Sequence, residues 1–170
     1  YHIVGLPRIG KSSLLKAFKA MVLENHYSHD LVVFYISLDE CDNSNDMWRK
    51  IGKGIRKELK KQFQSCDKYT NFIDELEFED IDENKIDYEY VCAVARCMKA
   101  SGFLGLILID EFDNFSTIAT KGTVGQVRTL FSGSEFGLRA VVASRRMVER
   151  IEKEVEGALN SNVSILAPTF

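Results

Sequence analysis

Apolar residues along this chain of 170 fall into two alternating patterns. Short runs rich in apolar residues at 1–4, 31–36, 104–109, 139–144 and 163–166 lack the every-other-residue polarity of a half-exposed strand. They read as strands covered on both faces. Between them apolar residues recur at the three- and four-residue spacing of a helix face. Leu14, Leu15, Phe18, Met21 and Val22 predict a helix over 11–24 with that stripe turned inward. Met47, Trp48, Ile51, Ile55, Leu59 and Phe63 predict a second, which Gly52 and Gly54 weaken by about 1 kcal/mol each relative to Ala. Val91, Val94, Ala95 and Met98 mark a third over 88–100, closed by Ser101-Gly102. Val124, Val127, Leu130 and Phe131 mark a short one, and Met147, Val148, Ile151 and Val155 another. Strands alternating with helices predict a three-layer α/β domain with a mainly parallel five-stranded sheet and helices on both faces.

Two stretches depart from this rhythm. Residues 74–89 hold nine Asp or Glu and one Lys, which predicts an exposed, mobile connection remote from catalysis. The run Arg56-Lys57-Glu58-Leu59-Lys60-Lys61 reads as a solvated helix face. A formal net charge of -3 gives no general reason to expect nucleic acid as partner, although it leaves a local patch open. The longest strictly apolar run, 103–109, is far too short to span a bilayer, and no signal-peptide pattern precedes the first strand, so a cytoplasmic protein without a membrane partner is expected. Cysteines at 41, 66, 92 and 97 show no metal-ligand pairing, and His26 and His29 have no third ligand near them, so reduced structural thiols are expected. The chain opens on Tyr1 inside a strand and stops just after another. It is expected to be one domain, 1–170, of a longer protein.

Chemistry concentrates where strands end. Gly5-Leu6-Pro7-Arg8-Ile9-Gly10-Lys11-Ser12 fits the phosphate-binding loop pattern G-x-x-x-x-G-K-[ST] at every fixed position, between a strand and a helix as that motif requires. Gly5 and Gly10 let the backbone from Arg8 through Ile9 to Ser13 curl so that its N–H groups face one concavity, at which the helix also aims its positive end. Lys11 supplies a point charge for the β- and γ-phosphates, and the Ser12 hydroxyl can join the shell of a Mg²⁺ ion. A second signal is the apolar strand 104–109 running into Asp110-Glu111. In an open α/β sheet ligands gather at the carboxyl ends of strands, so Asp110 would reach the same edge and hold the Mg²⁺ water shell. Glu111 would orient and polarise a water attacking the γ-phosphate. Where the strand over 139–144 ends, Ser144 and Arg145 are candidates to touch the γ-phosphate or that water.

With these motifs placed, the sequence resembles the additional-strand P-loop ATPases. More narrowly, its phosphate loop, its Ile109-Asp110-Glu111-Phe112-Asp113 strand end and its Ala143-Ser144-Arg145 ending resemble AAA+ proteins and the related STAND signalling ATPases, archaeal-type ATPases among them. The resemblance implies a P-loop NTPase core that binds and hydrolyses Mg²⁺-ATP as a conformational or signalling switch, followed after residue 170 by a helical lid and further domains. It also implies ATP and ADP, those other domains and further copies of the full-length chain as partners. Two rivals stand beside it: a DNA-associated AAA+ ATPase akin to the origin-recognition proteins, and a nucleotide-binding scaffold with negligible hydrolysis.

Overall fold

The structure is a computed structural model that describes residues 1–24, 30–63, 82–147, 150–151 and 154–155. The chain runs β1 (His2–Val4), α1 (Lys11–Glu24), β2 (Leu31–Ser37), α2 (Ser44–Phe63), a 3₁₀ turn (Glu83–Lys85), α3 (Tyr88–Ala100), β3 (Leu104–Asp110), a second 3₁₀ turn (Phe112–Asn114), α4 (Phe115–Ile118), α5 (Lys121–Ser132) and β4 (Leu138–Ser144). All strand pairs are parallel, in the order β1-β4-β3-β2. The strand standing between the two motif-bearing strands is therefore β4, the last in sequence among the described strands. Among the described residues the sheet has four strands rather than the expected five. The fifth, at 163–166, lies outside the described residues.

Register decides which residues meet. Val4 pairs with Ser144 and Ser37 with Asp110, so the carboxyl ends of all four strands share one edge, the edge that also receives the phosphate loop. Successive side chains of a strand point to opposite faces. Val32, Phe34 and Ile36 of β2, Ile107 and Ile109 of β3, and Leu138 of β4 pack in one core with α2, α3 and α5. Val33, Leu108 and Ala143 face the other way, against Leu15 of α1. Both faces are thus covered, which is why the strands read as unbroken apolar runs.

Local chemistry sets the helix ends. Asp87 caps α3 by accepting the Tyr90 N–H at 2.9 Å, and Thr120 caps α5 in a reciprocal box with Thr123. The helix α2 continues unbroken through Gly52 and Gly54 because tertiary packing outweighs propensity: a Cβ at Gly54 would lie 3.2 Å from the Phe34 ring of β2. Lys57, Lys60 and Lys61 are exposed as the sequence predicts, while Glu58 is buried and paired with Lys19 of α1 at 2.6 Å. Burial pushes the thiols of Cys41 and Cys92 up, in keeping with structural rather than reactive roles.

Two expectations need correction. Of the stripe assigned to α1, Leu15 is buried and Val22 half-buried, whereas Leu14, Phe18 and Met21 are 55%, 37% and 47% exposed. The sheet covers a narrower arc of the helix than its apolar residues span. Nor is the acidic connection wholly exposed. After Glu83–Lys85 the chain buries Ile86 beneath α2 and then caps α3, while residues 74–81 lie outside those described.

Candidate active site

The phosphate loop joins β1 to α1 in the backbone conformation its sequence requires. Gly10 has φ +90°, a region L side chains rarely adopt, and Arg8 stands at φ 63°, also left-handed. The Gly5 N–H donates to the Ser144 carbonyl at 3.2 Å, fixing the loop to β4, and the Leu14 N–H donates to the Gly10 carbonyl at 2.8 Å, opening α1. Lys11 Nζ donates to the carbonyls of Gly5 and Leu6 at 2.7 and 2.9 Å, so its ammonium sits within the curl of the loop.

The two adjacent acids at the end of β3 occupy different environments. Asp110 is 2% exposed, with Oδ2 accepting from the Tyr35 hydroxyl at 2.7 Å and Oδ1 accepting the Glu111 N–H at 2.9 Å. Burial, then the bond to Asp110, pushes the Tyr35 hydroxyl well above the ordinary tyrosine value, so it remains a donor at any physiological pH. Glu111 turns left-handed at φ 50° and ψ 43°, which breaks the strand and carries its side chain to the cleft, where Oε2 lies 3.5 Å from Arg145 Nη2. A carboxylate keeps about four lone-pair sites, so Asp110 retains acceptor capacity beyond the two bonds it makes.

At the end of β4 the candidate residues part company. Ser144 is fully buried, and its hydroxyl donates to the Arg146 carbonyl. Its oxygen also lies 2.6 Å from His2 Nε2, a second hydrogen bond that ties β4 to β1. Arg145 points the other way, toward Glu111. Behind both stands Asp113, a residue to which the sequence analysis gives no role. Its Oδ2 accepts the Arg145 N–H at 2.6 Å, and its Oδ1 accepts the Arg146 N–H at 3.1 Å and Nε at 3.0 Å. Arg146 also donates to the Asp113 carbonyl, to Ser116 Oγ and to both oxygens of Glu154. Burial alone would raise the Asp113 carboxyl, but the Arg145 backbone N–H and the Arg146 guanidinium outweigh it and hold the group below the ordinary carboxylate value.

Between these elements lies a cleft of about 530 Å³ whose walls include Arg8, Gly10, Lys11, Ser12 and Ser13 of the loop, Glu111 after β3 and Arg145 after β4. Gly5, Ile9, Asp110 and Ser144 are not among its walls: Gly5 and Ser144 bond to each other through their backbones, and Asp110 is buried in the bond to Tyr35. Asp39 and Asn114 line it without having been singled out in the sequence. Asp39 follows β2 at the same sheet edge, so the strand-end rule that picked Asp110 was the available signal. No group of three or more His, Cys, Asp or Glu among the described residues could hold a metal alone. Of the two residues expected to serve Mg²⁺, Ser12 lines the cleft and Asp110 does not. Both offer hard oxygens of the kind that fit Mg²⁺, an ion that completes its shell with water and phosphate oxygens.

No family model matches the chain, and no curated protein matches it. Solved structures do. The Walker-type ATPase PABY2304 of Pyrococcus abyssi superposes with a TM-score of 0.56 at 14% identity over 93% of this chain and 46% of its own. The Aeropyrum pernix ORC2 protein, solved in ADPNP and ADP complexes, superposes with a TM-score of 0.52 at 14% identity over 91% of this chain and 38% of its own. The chain thus spans less than half the length of either neighbour. No described helix is long and apolar enough to cross a membrane. The parallel sheet, the helices on both its faces and the loop at its edge give this chain a layered α/β fold that it shares with these two structures.

Proposed function

We propose that this chain is the ATP-binding and ATP-hydrolysing core of a larger AAA+ or STAND-type protein, working as a nucleotide-dependent switch in the cytoplasm. The observation that carries this reading is the single cleft onto which the phosphate loop, Glu111 and Arg145 converge from three different strand ends. Backbone N–H groups from Arg8 to Ser13 and the start of α1 hold the phosphates, with the Lys11 ammonium as their counter-charge. Ser12 and Asp110 would hold Mg²⁺, Asp110 by way of the ion's water shell. When bound, the ion neutralises charge on the β- and γ-phosphates. Glu111 orients a water in line with the γ-phosphate and accepts its proton as the bond to the β-phosphate oxygen breaks, giving ADP and phosphate. Arg145 contacts the γ-phosphate, and Ser144 serves by fixing the strand end from which Arg145 departs.

One contact favours the scaffold reading: at 3.5 Å from Arg145, Glu111 is partly engaged, and a chain that kept this pairing with ATP bound would exchange nucleotide without turnover. Calorimetric titration with Mg²⁺-ATP, on the parent sequence and on Lys11→Ala, tests the binding claim. We expect saturable binding that the substitution abolishes while the unfolding midpoint is retained. Equal affinity in both would refute it.

A further inference from the structure

We propose that Asp113 is a positioning residue for the γ-phosphate contact: it holds Arg145 at the cleft, so that the discrimination between ATP and ADP depends on a carboxylate that touches neither. The inference rests on the reading of Arg145 given above and extends it to a residue outside the cleft walls. The Asp113 side chain is 6% exposed and does not line the cleft. Both its oxygens are spent on the chain just beyond β4, where it accepts the consecutive N–H groups of Arg145 and Arg146. Two adjacent N–H groups drawn to one carboxylate bend the backbone there, so that residue 145 sends its side chain back toward Glu111.

The Arg145 guanidinium needs such a hold. Its side chain is 49% exposed and lies at 3.5 Å from Glu111 and 3.6 Å from Asp113, contacts too long to fix a side chain of this length. The backbone must do the aiming, and Asp113 fixes that backbone. Arg146 completes the clamp from the solvent side, its guanidinium tied at once to Asp113, Ser116 and Glu154. The segment after β4 is therefore fastened to the segment after β3 at the point where the two sides of the cleft meet.

The test compares affinities for Mg²⁺-ATP and Mg²⁺-ADP by calorimetry in the parent sequence, Arg145→Ala, Asp113→Asn and the double variant. Arg145→Ala should lower the preference for ATP by about tenfold or more, the scale of a lost hydrogen bond to a charged group. Asp113→Asn should lower it by roughly three- to tenfold with ADP affinity unchanged, and the double variant should lose no more than Arg145→Ala alone, because one effect acts through the other. A merely structural role would weaken both nucleotides together, or give losses that multiply; either result overturns the proposal. If Asp113→Asn does not fold, Asp113→Glu decides, since it keeps the charge but displaces by one methylene the oxygens that accept the Arg145 and Arg146 N–H groups. It should show the same selective loss, and unchanged preference would overturn the proposal. If Arg145→Ala itself leaves the preference unaltered, the reading of Arg145 fails and this inference with it. If Arg145→Ala abolishes the preference and Asp113→Asn does not, only the role of Asp113 falls.

Discussion

Ser144→Ala separates two kinds of work that a strand-end hydroxyl can do. In the structure the Ser144 hydroxyl is fully buried and makes two hydrogen bonds, one to the Arg146 carbonyl and one with His2 Nε2. Each such bond contributes about 1 kcal/mol net, and a buried group deprived of its partner costs about 1–3 kcal/mol. The methyl group of alanine replaces neither bond, and the site has no exposure through which water could substitute. The expected loss is thus about 2–4 kcal/mol, a large part of the roughly 5–15 kcal/mol that holds a typical domain. With a urea slope of about 2 kcal/mol/M the midpoint would fall by roughly 1–2 M. The chain has one tryptophan, and Trp48 is 2% exposed in the core, so its fluorescence reports unfolding directly. A midpoint changed by less than about 0.5 kcal/mol-equivalent, together with lost ATP affinity, would refute the clamp and return Ser144 to the direct phosphate contact read from the sequence.

Two further outcomes follow from packing and from charge. At Gly137 a Cβ would lie 2.9 Å from the Phe103 carbonyl oxygen and 3.3 Å from Lys99 Cβ, so Gly137→Ala should cost about 1–3 kcal/mol in urea unfolding, and an unchanged midpoint would show that the turn into β4 yields freely. The Asp113 carboxyl lies below its ordinary value of 3.8 in the folded protein, so its stabilisation is present in full above that value and is lost as pH falls through the lower folded value. The difference in unfolding free energy between the parent sequence and Asp113→Asn should therefore be flat from pH 7 to 5 and shrink only below about pH 4; shrinkage already between pH 7 and 5 would contradict the clamp.

The sheet and its site edge were legible because they depend on local signals. A glycine loop between an apolar run and a helical stripe has one geometry, and a run such as Leu31 to Ile36, apolar without alternation, belongs to a strand covered on both faces. What escaped depends on contacts between distant residues. Periodicity shows that α1 has an apolar side but not how wide an arc the sheet covers, so Leu15 was placed correctly and Leu14, Phe18 and Met21 were not. Asp113 stands in plain view beside Asp110 and Glu111, yet its partners are Arg145 and Arg146, more than thirty residues onward, brought there by the insertion of β4 next to β3. Ser144 was recognised as special by its place at a strand end. What its hydroxyl meets depends on His2, 142 residues away in sequence and brought beside it only once β1 and β4 pair with Val4 in register with Ser144.

The most direct test of ATP hydrolysis at this cleft compares Glu111→Gln with the parent sequence in the full-length protein. Mg²⁺-ATP binding and single-turnover phosphate release are measured on the same samples. Glutamine keeps the size and a hydrogen-bonding group but loses the charge that takes up the proton of water, so ATP should bind with affinity close to the parent's and stay bound, while phosphate release should slow by about 10²–10⁴-fold. Phosphate release at the parent rate would contradict the account, because Glu111 would then be a solvated charge at the end of a strand.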